Sequence, residues 1–223
     1  MQDKSPLVSV IITCFNLEKY ISRAIGSCIN QTLSDVDYEI IVVDDASTDN
    51  SRKIIEMYDG LVTAIYLEEN CGVSHASNVG IKEARGKYVV RVDGDDYINT
   101  NFLFVMSQFL QWNEDIGFVY CDHIVVDNDM NRKQEINNLE KLLDHGAGVM
   151  FRKEYLEAIG LYDESLRNRE DYDLLLRYMK NFDGHRVKLP YYRYVSRTGS
   201  LSTQKDLRAK LKEQINERQG FRR

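Results

Sequence analysis

Four short apolar runs, each followed by residues at helical spacing, constrain this chain more than any other feature. Leu7-Val8-Ser9-Val10-Ile11-Ile12-Thr13 and Tyr38-Glu39-Ile40-Ile41-Val42-Val43 are β-branched and apolar almost throughout. That is the pattern of a strand buried on both faces. Leu61 to Leu67 and Lys87 to Val92 read as two further strands. Between the first pair, Leu17, Ile21, Ala24, Ile25 and Cys28 recur at helical spacing, with Asn16 as the expected cap. Asp44-Asp45-Ala46-Ser47-Thr48-Asp49 forms a turn and cap cluster before a helix that runs to Tyr58 and stops at Gly60. Val73, Ala76, Gly80, Ile81 and Ala84 make a third helix face, ended by Gly86. Strand and helix in alternation predict an α/β fold, a Rossmann-like and mainly parallel sheet flanked by helices.

Beyond Asp96 the rhythm becomes mixed. A helix is expected over 100–112, strands over 117–126 and 147–151, a helix from Glu170 carrying Leu174, Leu175 and Tyr178, and an extended segment over 187–195. Asp127-Asn128-Asp129-Met130-Asn131 reads as a turn. This half is expected to cover one edge of the first sheet. A length of 223 residues fits one domain over 1–203, with halves at about 1–99 and 100–203, followed by a basic helix or tail over 204–223. In that tail Leu207, Leu211 and Ile215 form a narrow stripe, suited to docking on the domain or a partner, or to peripheral contact with an anionic membrane surface.

Charge narrows the ligands. The net charge is −6, but the tail from Lys205 to Arg223 carries seven basic and three acidic residues, which leaves −10 on the rest. Such a body has no overall field to attract nucleic acid, and a phosphate-rich ligand needs a metal or a local cation to enter. Met1 to Pro6 is polar, and no apolar run approaches the ~18 residues of a spanning helix, so a cytoplasmic protein is expected. The four dispersed cysteines are expected to be free thiols.

Two strands end in acids. Asp44-Asp45 closes the second, and Asp93-Gly94-Asp95-Asp96 closes the fourth. Ligands of an open parallel sheet bind beyond the carboxyl ends of its strands, so central strands would bring these acids to one crevice. Each cluster alone also reads as an acidic turn capping the next helix. Three carboxylates in four residues repel one another, and Mg2+ or Mn2+ offsets that with oxygen ligation completed by substrate phosphates. Gly94 is expected to turn the backbone tightly so that the carboxylates converge. The chain has no Gly-x-Gly-x-x-Gly after its first strand, no Gly-Lys-Ser/Thr and no Gly-x-Ser-x-Gly. The four histidines show no metal-ligand pairing, although His145, beside Gly146 and Gly148, is placed to reach a site.

The order of the pieces is more specific than any one of them. Val8 to Asn16 resembles the opening strand of the family 2 glycosyltransferases, of GT-A fold. Glu39 to Asp49 is similar to their second strand and acidic turn, and Asn70-Cys71-Gly72-Val73-Ser74 through Ile81 to their next helix. Asp93-Gly94-Asp95-Asp96 occupies the place of their Asp-x-Asp motif. Gly160 to Leu166 and Glu170-Asp171-Tyr172-Asp173-Leu174 resemble the acceptor-side pattern, and Tyr192-Arg193 with Ser200-Leu201-Ser202 the ending. Phe15 stands where the family usually has Tyr, Ser77 where an Arg is common, and Arg197 where a His is often found.

The resemblance implies a metal-dependent, inverting transferase that moves a sugar from a nucleotide-sugar donor, a UDP-sugar, to the hydroxyl of a glycan or lipid-linked acceptor. It implies that Thr13, Phe15 and Asp45 hold the base, Asp93 lies near the ribose, Asp95 binds Mn2+ or Mg2+, and Asp171 is the general base. Arg197 would then leave a cation near the diphosphate. Two rivals remain at this point: a nucleotidyltransferase, which usually has a Gly-rich basic loop after the first strand, and a silent nucleotide-sugar binding module.

Overall fold

A computed structural model of the chain describes residues 5–127, 131–135, 139–197 and 203–220. The expected turn at Asn128 to Met130 and the Ser200-Leu201-Ser202 ending lie outside them. The first half runs β1 (Val8–Cys14), α1 (Ile21–Ile29), β2 (Tyr38–Asp44), α2 (Ser51–Glu56), β3 (Thr63–Tyr66), α3 (Val73–Glu83), β4 (Tyr88–Asp93) and β5 (Tyr97–Ile98). Then follow α4 (Phe102–Trp112), β6 (Ile116–Val126), β7 (Arg132–Glu135), α5 (Leu139–His145) and β8 (Val149–Arg152). The chain continues with α6 (Lys153–Ala158), α7 (Glu170–Met179), β9 (Asp183–Val195) and α8 (Lys205–Gln219).

The strands form one sheet in the order β3-β2-β1-β4-β8-β6-β9-β5, with β7 paired to β6. β3, β2, β1 and β4 are parallel. β8 runs antiparallel to both β4 and β6, and β9 runs parallel to β6. The second half therefore extends the sheet edge to edge, where the sequence pattern led us to expect a cover over one edge. The reason lies in β4, whose free side pairs in register with β8, Val89 opposite Phe151 and Val90 opposite Met150. Pairing satisfies main-chain groups that a packed cover would leave bare.

Side chains alternate across this sheet. Val8, Val10 and Ile12 of β1 enter a core with Ile21, Ile25 and Cys28 of α1 and with Phe102, Leu103 and Met106 of α4. Ile11 points the other way, to Ala76 and Ile81 of α3 and Leu174 and Tyr178 of α7. Each of these large aliphatic side chains contributes about 1.5–3 kcal/mol on full burial. Arg152, only 4% exposed, stitches the second half together. Its guanidinium donates to the main-chain oxygens of Leu110, Asn113 and Ile116 at 2.8–2.9 Å, joining the last turn of α4 to the residue after it and to the start of β6.

Two local expectations are corrected. Asn16 does not cap α1, whose cap residue is Tyr20 with no side-chain bond. Asn16 adopts φ +54°, and its Oδ1 accepts from Thr48 N at 2.8 Å. In return Ser47 Oγ, Asp49 Oδ2 and Ser51 Oγ accept from the main chain of Asn16, Glu18 and Leu17 at 2.8–3.0 Å. The polar residues after β1 and β2 thus lace two loops together, and Asp49 Oδ1 also accepts from Ser51 N, the first residue of α2, at 2.9 Å. Gly94, second, is required for close approach and not for an unusual φ: a Cβ there would lie 2.7 Å from Thr13 O.

Candidate active site

The register of the sheet builds the site. Thr13 pairs with Asp93 and Cys14 with Asp44, so β1, β2 and β4 end at one level. The chain reverses direction across the sheet between β1 and β4, which opens a crevice at the strand ends. A cleft of about 560 Å³ occupies it, and Thr13, Phe15, Asp45, Asp93, Asp95, Asp171 and Arg197 all line it. All seven residues expected from sequence are therefore brought to one place.

One wall is made by the strand ends. Phe15 presents an exposed ring, 44% accessible, while Thr13 is 7% exposed. Asp45 is 3% exposed, and its carboxylate accepts from Cys71 N and Gly72 N at 2.8 Å and from Asn70 Nδ2 at 2.9 Å. It thereby pins the loop that opens α3, and three of its roughly four lone-pair positions are taken. Across the floor, Asp95 Oδ2 meets Arg197 Nε at 2.6 Å, and Asp96 Oδ1 accepts from Val195 N at 2.7 Å. Burial, with Asp93 beside it, raises the Asp95 carboxyl above the usual range against the pull of Arg197.

The other wall is made by helices. Asp171, in the first turn of α7, has its Oδ2 2.7 Å from Arg91 Nη2, while Tyr162 donates its hydroxyl to Oδ1 at 3.2 Å. The same guanidinium reaches Glu170 Oε1 at 3.2 Å and Asp93 Oδ1 at 3.1 Å. Arg91 therefore ties the end of β4 to the start of α7. Burial pushes the Asp171 carboxyl up to about 8; Arg91 opposes that shift, and Glu170 and Asp93 add to it. Gly146, at φ +58°, lies so close that a Cβ would sit 2.5 Å from the Asp171 Cβ. His145 also lines the cleft; burial, with His123 beside it, lowers its pKa to about 3, which keeps the ring neutral.

Asp173 is a different kind of acid. It is fully buried behind α7, held by Arg177 Nε at 2.8 Å, Arg218 Nη2 at 2.7 Å and Gln219 Nε2 at 3.0 Å. Two of those donors come from α8, which docks through Ile215 on Leu166, Tyr172 and Leu176. Of the expected stripe only Ile215 is buried, and Leu207 stays 45% exposed. The tail also supplies Arg208 to the cleft lining. No helix among the described residues is long and apolar enough to cross a membrane.

The sequence profile described as glycosyl transferase family 2 matches residues 9–176, three quarters of the chain. The chain belongs to that family. It is 33% identical over 193 residues to an uncharacterised glycosyltransferase of Rickettsia prowazekii, covering 79% of this chain and 59% of the relative. It is 30% identical over 182 residues to the chondroitin synthase of Escherichia coli, covering 77% of this chain and 26% of that one. Among solved structures, Staphylococcus aureus TarS 1–349 in complex with UDP-GlcNAc matches with a TM-score of 0.76 at 27% identity, over 89% of this chain and 61% of that chain. The family 2 chain thus spans between a quarter and three fifths of these curated relatives.

Among the described residues no three His, Cys, Asp or Glu side chains converge as a cage. Asp95 nevertheless offers a carboxylate to the cleft, and beside it Asp96 Oδ2 is buried without a hydrogen-bond partner. Hard oxygen donors in this number fit Mg2+ or Mn2+ when substrate phosphates complete the shell. Sequence reasoning missed Arg91, Tyr162 and Arg208 in this family 2 site. Arg91 carried a signal, a lone cation inside an apolar strand, and such a charge needs partners. Tyr162 and Arg208 carried none, because their places depend on how α7 and α8 dock.

Proposed function

We propose that this chain transfers a sugar from a nucleotide-sugar donor, a UDP-sugar, to an acceptor hydroxyl with inversion at the anomeric carbon, in the building of a surface glycan or polysaccharide. The observation that carries this is the Arg91 bridge. It holds Asp171 one guanidinium away from Asp93, so a base and the acids at the strand ends face the same cleft. Asp171 takes the proton of the acceptor hydroxyl as its oxygen attacks the sugar carbon, and the bond to the diphosphate breaks in the same displacement. Its raised pKa suits a base working near neutral pH.

Phe15 stacks on the base, the Thr13 hydroxyl donates or accepts at its edge, and the remaining lone pair of Asp45 accepts there. Asp93 lies toward the ribose. Asp95 would hold Mn2+ or Mg2+, which when bound supplies charge stabilisation to the leaving diphosphate. Arg197 is a second cation on the same carboxylate, placed to follow the diphosphate. The acceptor is a glycan or a lipid-linked sugar. We treat residues 1–203 as one domain with α8 as its docked appendage.

The test is a panel of UDP-sugars incubated with the protein and Mn2+. Released UDP is expected. A nucleotidyltransferase would leave the UDP-sugars intact and instead release pyrophosphate from UTP supplied with a sugar 1-phosphate, and binding without release would mean a silent module. Calorimetry of Asp95→Ala completes it: Mn2+-dependent UDP affinity should fall at least tenfold, about 1.4 kcal/mol. An unchanged affinity removes Asp95 from the metal site.

A further inference from the structure

Five arginines line the cleft: Arg91, Arg167, Arg169, Arg197 and Arg208. Arg91 is matched by three carboxylates, Arg197 by Asp95, and Arg169 by Asp144. Arg167 folds over the strand-end wall, its Nη1 3.0 Å from Asn70 Oδ1. Arg208 stands on the helix wall and makes no ion pair among the described residues. Its guanidinium donates instead to neutral oxygens, the Asn168 side-chain carbonyl at 3.2 Å and the Asp144 main-chain carbonyl.

We propose that Arg208, with Arg169, forms a subsite for an anionic group, a carboxylate or a phosphate, carried by the acceptor. This rests on the reading of Asp171 as the base.

The charge count is the first support. Arg169 Nη1 lies 2.7 Å from Asp144 Oδ1, and Arg169 Nε donates to Arg208 O at 3.3 Å, so the two arginine residues are held side by side. Lys212, one turn further along α8, sits with its ammonium 5.4 Å from the centre of the Tyr172 ring, and the Arg169 guanidinium is 5.7 Å from the same ring. Arg169, Arg208 and Lys212 all act on Asp144, and the next acid felt by Arg208, Glu170, is already paired with Arg91. Like charges in partial burial repel, and an anion is the partner that offsets them. Neutral acceptors fix the Arg208 guanidinium in place without neutralising it, which is how a planar fork is readied for a carboxylate or phosphate.

Position is the second support. Asp144 and His145 lead directly into Gly146, which packs on Asp171. The cations therefore flank the base, where the acceptor must come to lose its proton. The diphosphate of the donor belongs at the other end, with Asp95 and Arg197.

The experiment uses the full chain saturated with UDP and Mn2+. Glucuronate and glycerol 3-phosphate are titrated by NMR beside glucose, glycerol and inorganic phosphate. At least one of the two anionic probes should bind at least tenfold more tightly than its neutral counterpart. Arg208→Gln should weaken that binding at least fivefold and leave UDP affinity within twofold, and Arg208→Lys should restore part of it. The proposal is overturned if the neutral probes bind as well, if the anionic probes bind only when UDP is absent, or if UDP affinity falls with Arg208→Gln. Inorganic phosphate binding as tightly as glycerol 3-phosphate would mean a site for a free anion and would overturn the assignment to the acceptor. Failure of the parent protein to bind UDP, seen in the first titration, defeats the underlying function and not the subsite.

Discussion

The two walls of the cleft are built on different principles. The strand-end wall is local. Thr13, Asp45 and Asp93 follow immediately from parallel strands in register, and the loops after β1 and β2 are knitted by short bonds between neighbouring elements. The helix wall is assembled from afar. Asp171 depends on Arg91, eighty residues away, and Asp173 on Arg218, forty-five residues away. Register is set by main-chain pairing that any apolar side chain tolerates, so the first wall is robust. The second relies on buried ion pairs, which lose heavily when one partner goes.

The largest expected effect breaks the helix wall at its chemical centre. Asp171→Asn keeps the size and removes the proton acceptor, so transfer should fall by about 10²–10⁴-fold. UDP-sugar affinity should stay within about threefold, since the change acts in the transition state. Turnover at the parental rate would take Asp171 out of the chemistry. In the parent, kcat/KM should rise with pH through the region near 8 to which burial lifts this carboxyl. A limb near the ordinary aspartate value of about 4 would refute that shift.

Breaking the strand-end wall should cost binding instead. Asp45→Ala removes a charged acceptor and should weaken UDP by about 1.5–3 kcal/mol. Because Asp45 also pins Cys71 and Gly72, the melting temperature should drop as well. Calorimetry and thermal melts together decide this: a lower melting point with parental UDP affinity would leave Asp45 only the loop.

Asp173→Asn sharpens the contrast within α7. This acid lies two residues from Asp171 but away from the cleft, so its loss should read as stability. Urea unfolding should show a decrease of about 1.5–3 kcal/mol, the scale of hydrogen bonds to a charged group. A dead but fully stable Asp173→Asn enzyme would exchange the roles of the two acids.

The smallest effect is the acid limb of stability. His145 is neutral in the folded protein, with its pKa lowered to about 3 by burial. The unfolded chain binds a proton near pH 6.5, so between about 3 and 6.5 it holds more protons than the native state. Stability from this group is present above about 6.5 and is lost as pH falls. Asp171 acts with the opposite sign between about 4 and 8, because its native carboxyl keeps the proton longer. Because the two groups oppose each other between pH 7 and 5, the check is a difference: the urea midpoint of His145→Asn should rise relative to that of the parent as pH falls from 7 to 5, and a constant difference would refute the His145 contribution.

Strand and helix alternation, the two acid clusters and their order along the chain were legible because they are local. A strand buried on both faces must be apolar at every position, a parallel strand must end at a turn, and the acids at those turns are then placed by register alone. Sequence therefore determined the strands and helices of the first half, the acids at the strand ends and the family to which the pattern belongs, while the strand order and register that bring Asp45, Asp93 and Asp95 to one level came from the fold. Tertiary structure decided the rest. That β8 would pair with the free side of β4 depends on a hydrogen-bonding edge with no sequence mark. The two-residue β5 and the six-residue α6 are too short for periodicity to show. Arg91, Tyr162 and Arg208 became site residues only when α7 and α8 docked. A side chain's charge is written in the sequence, but the groups that solvate it are chosen by packing across elements distant along the chain.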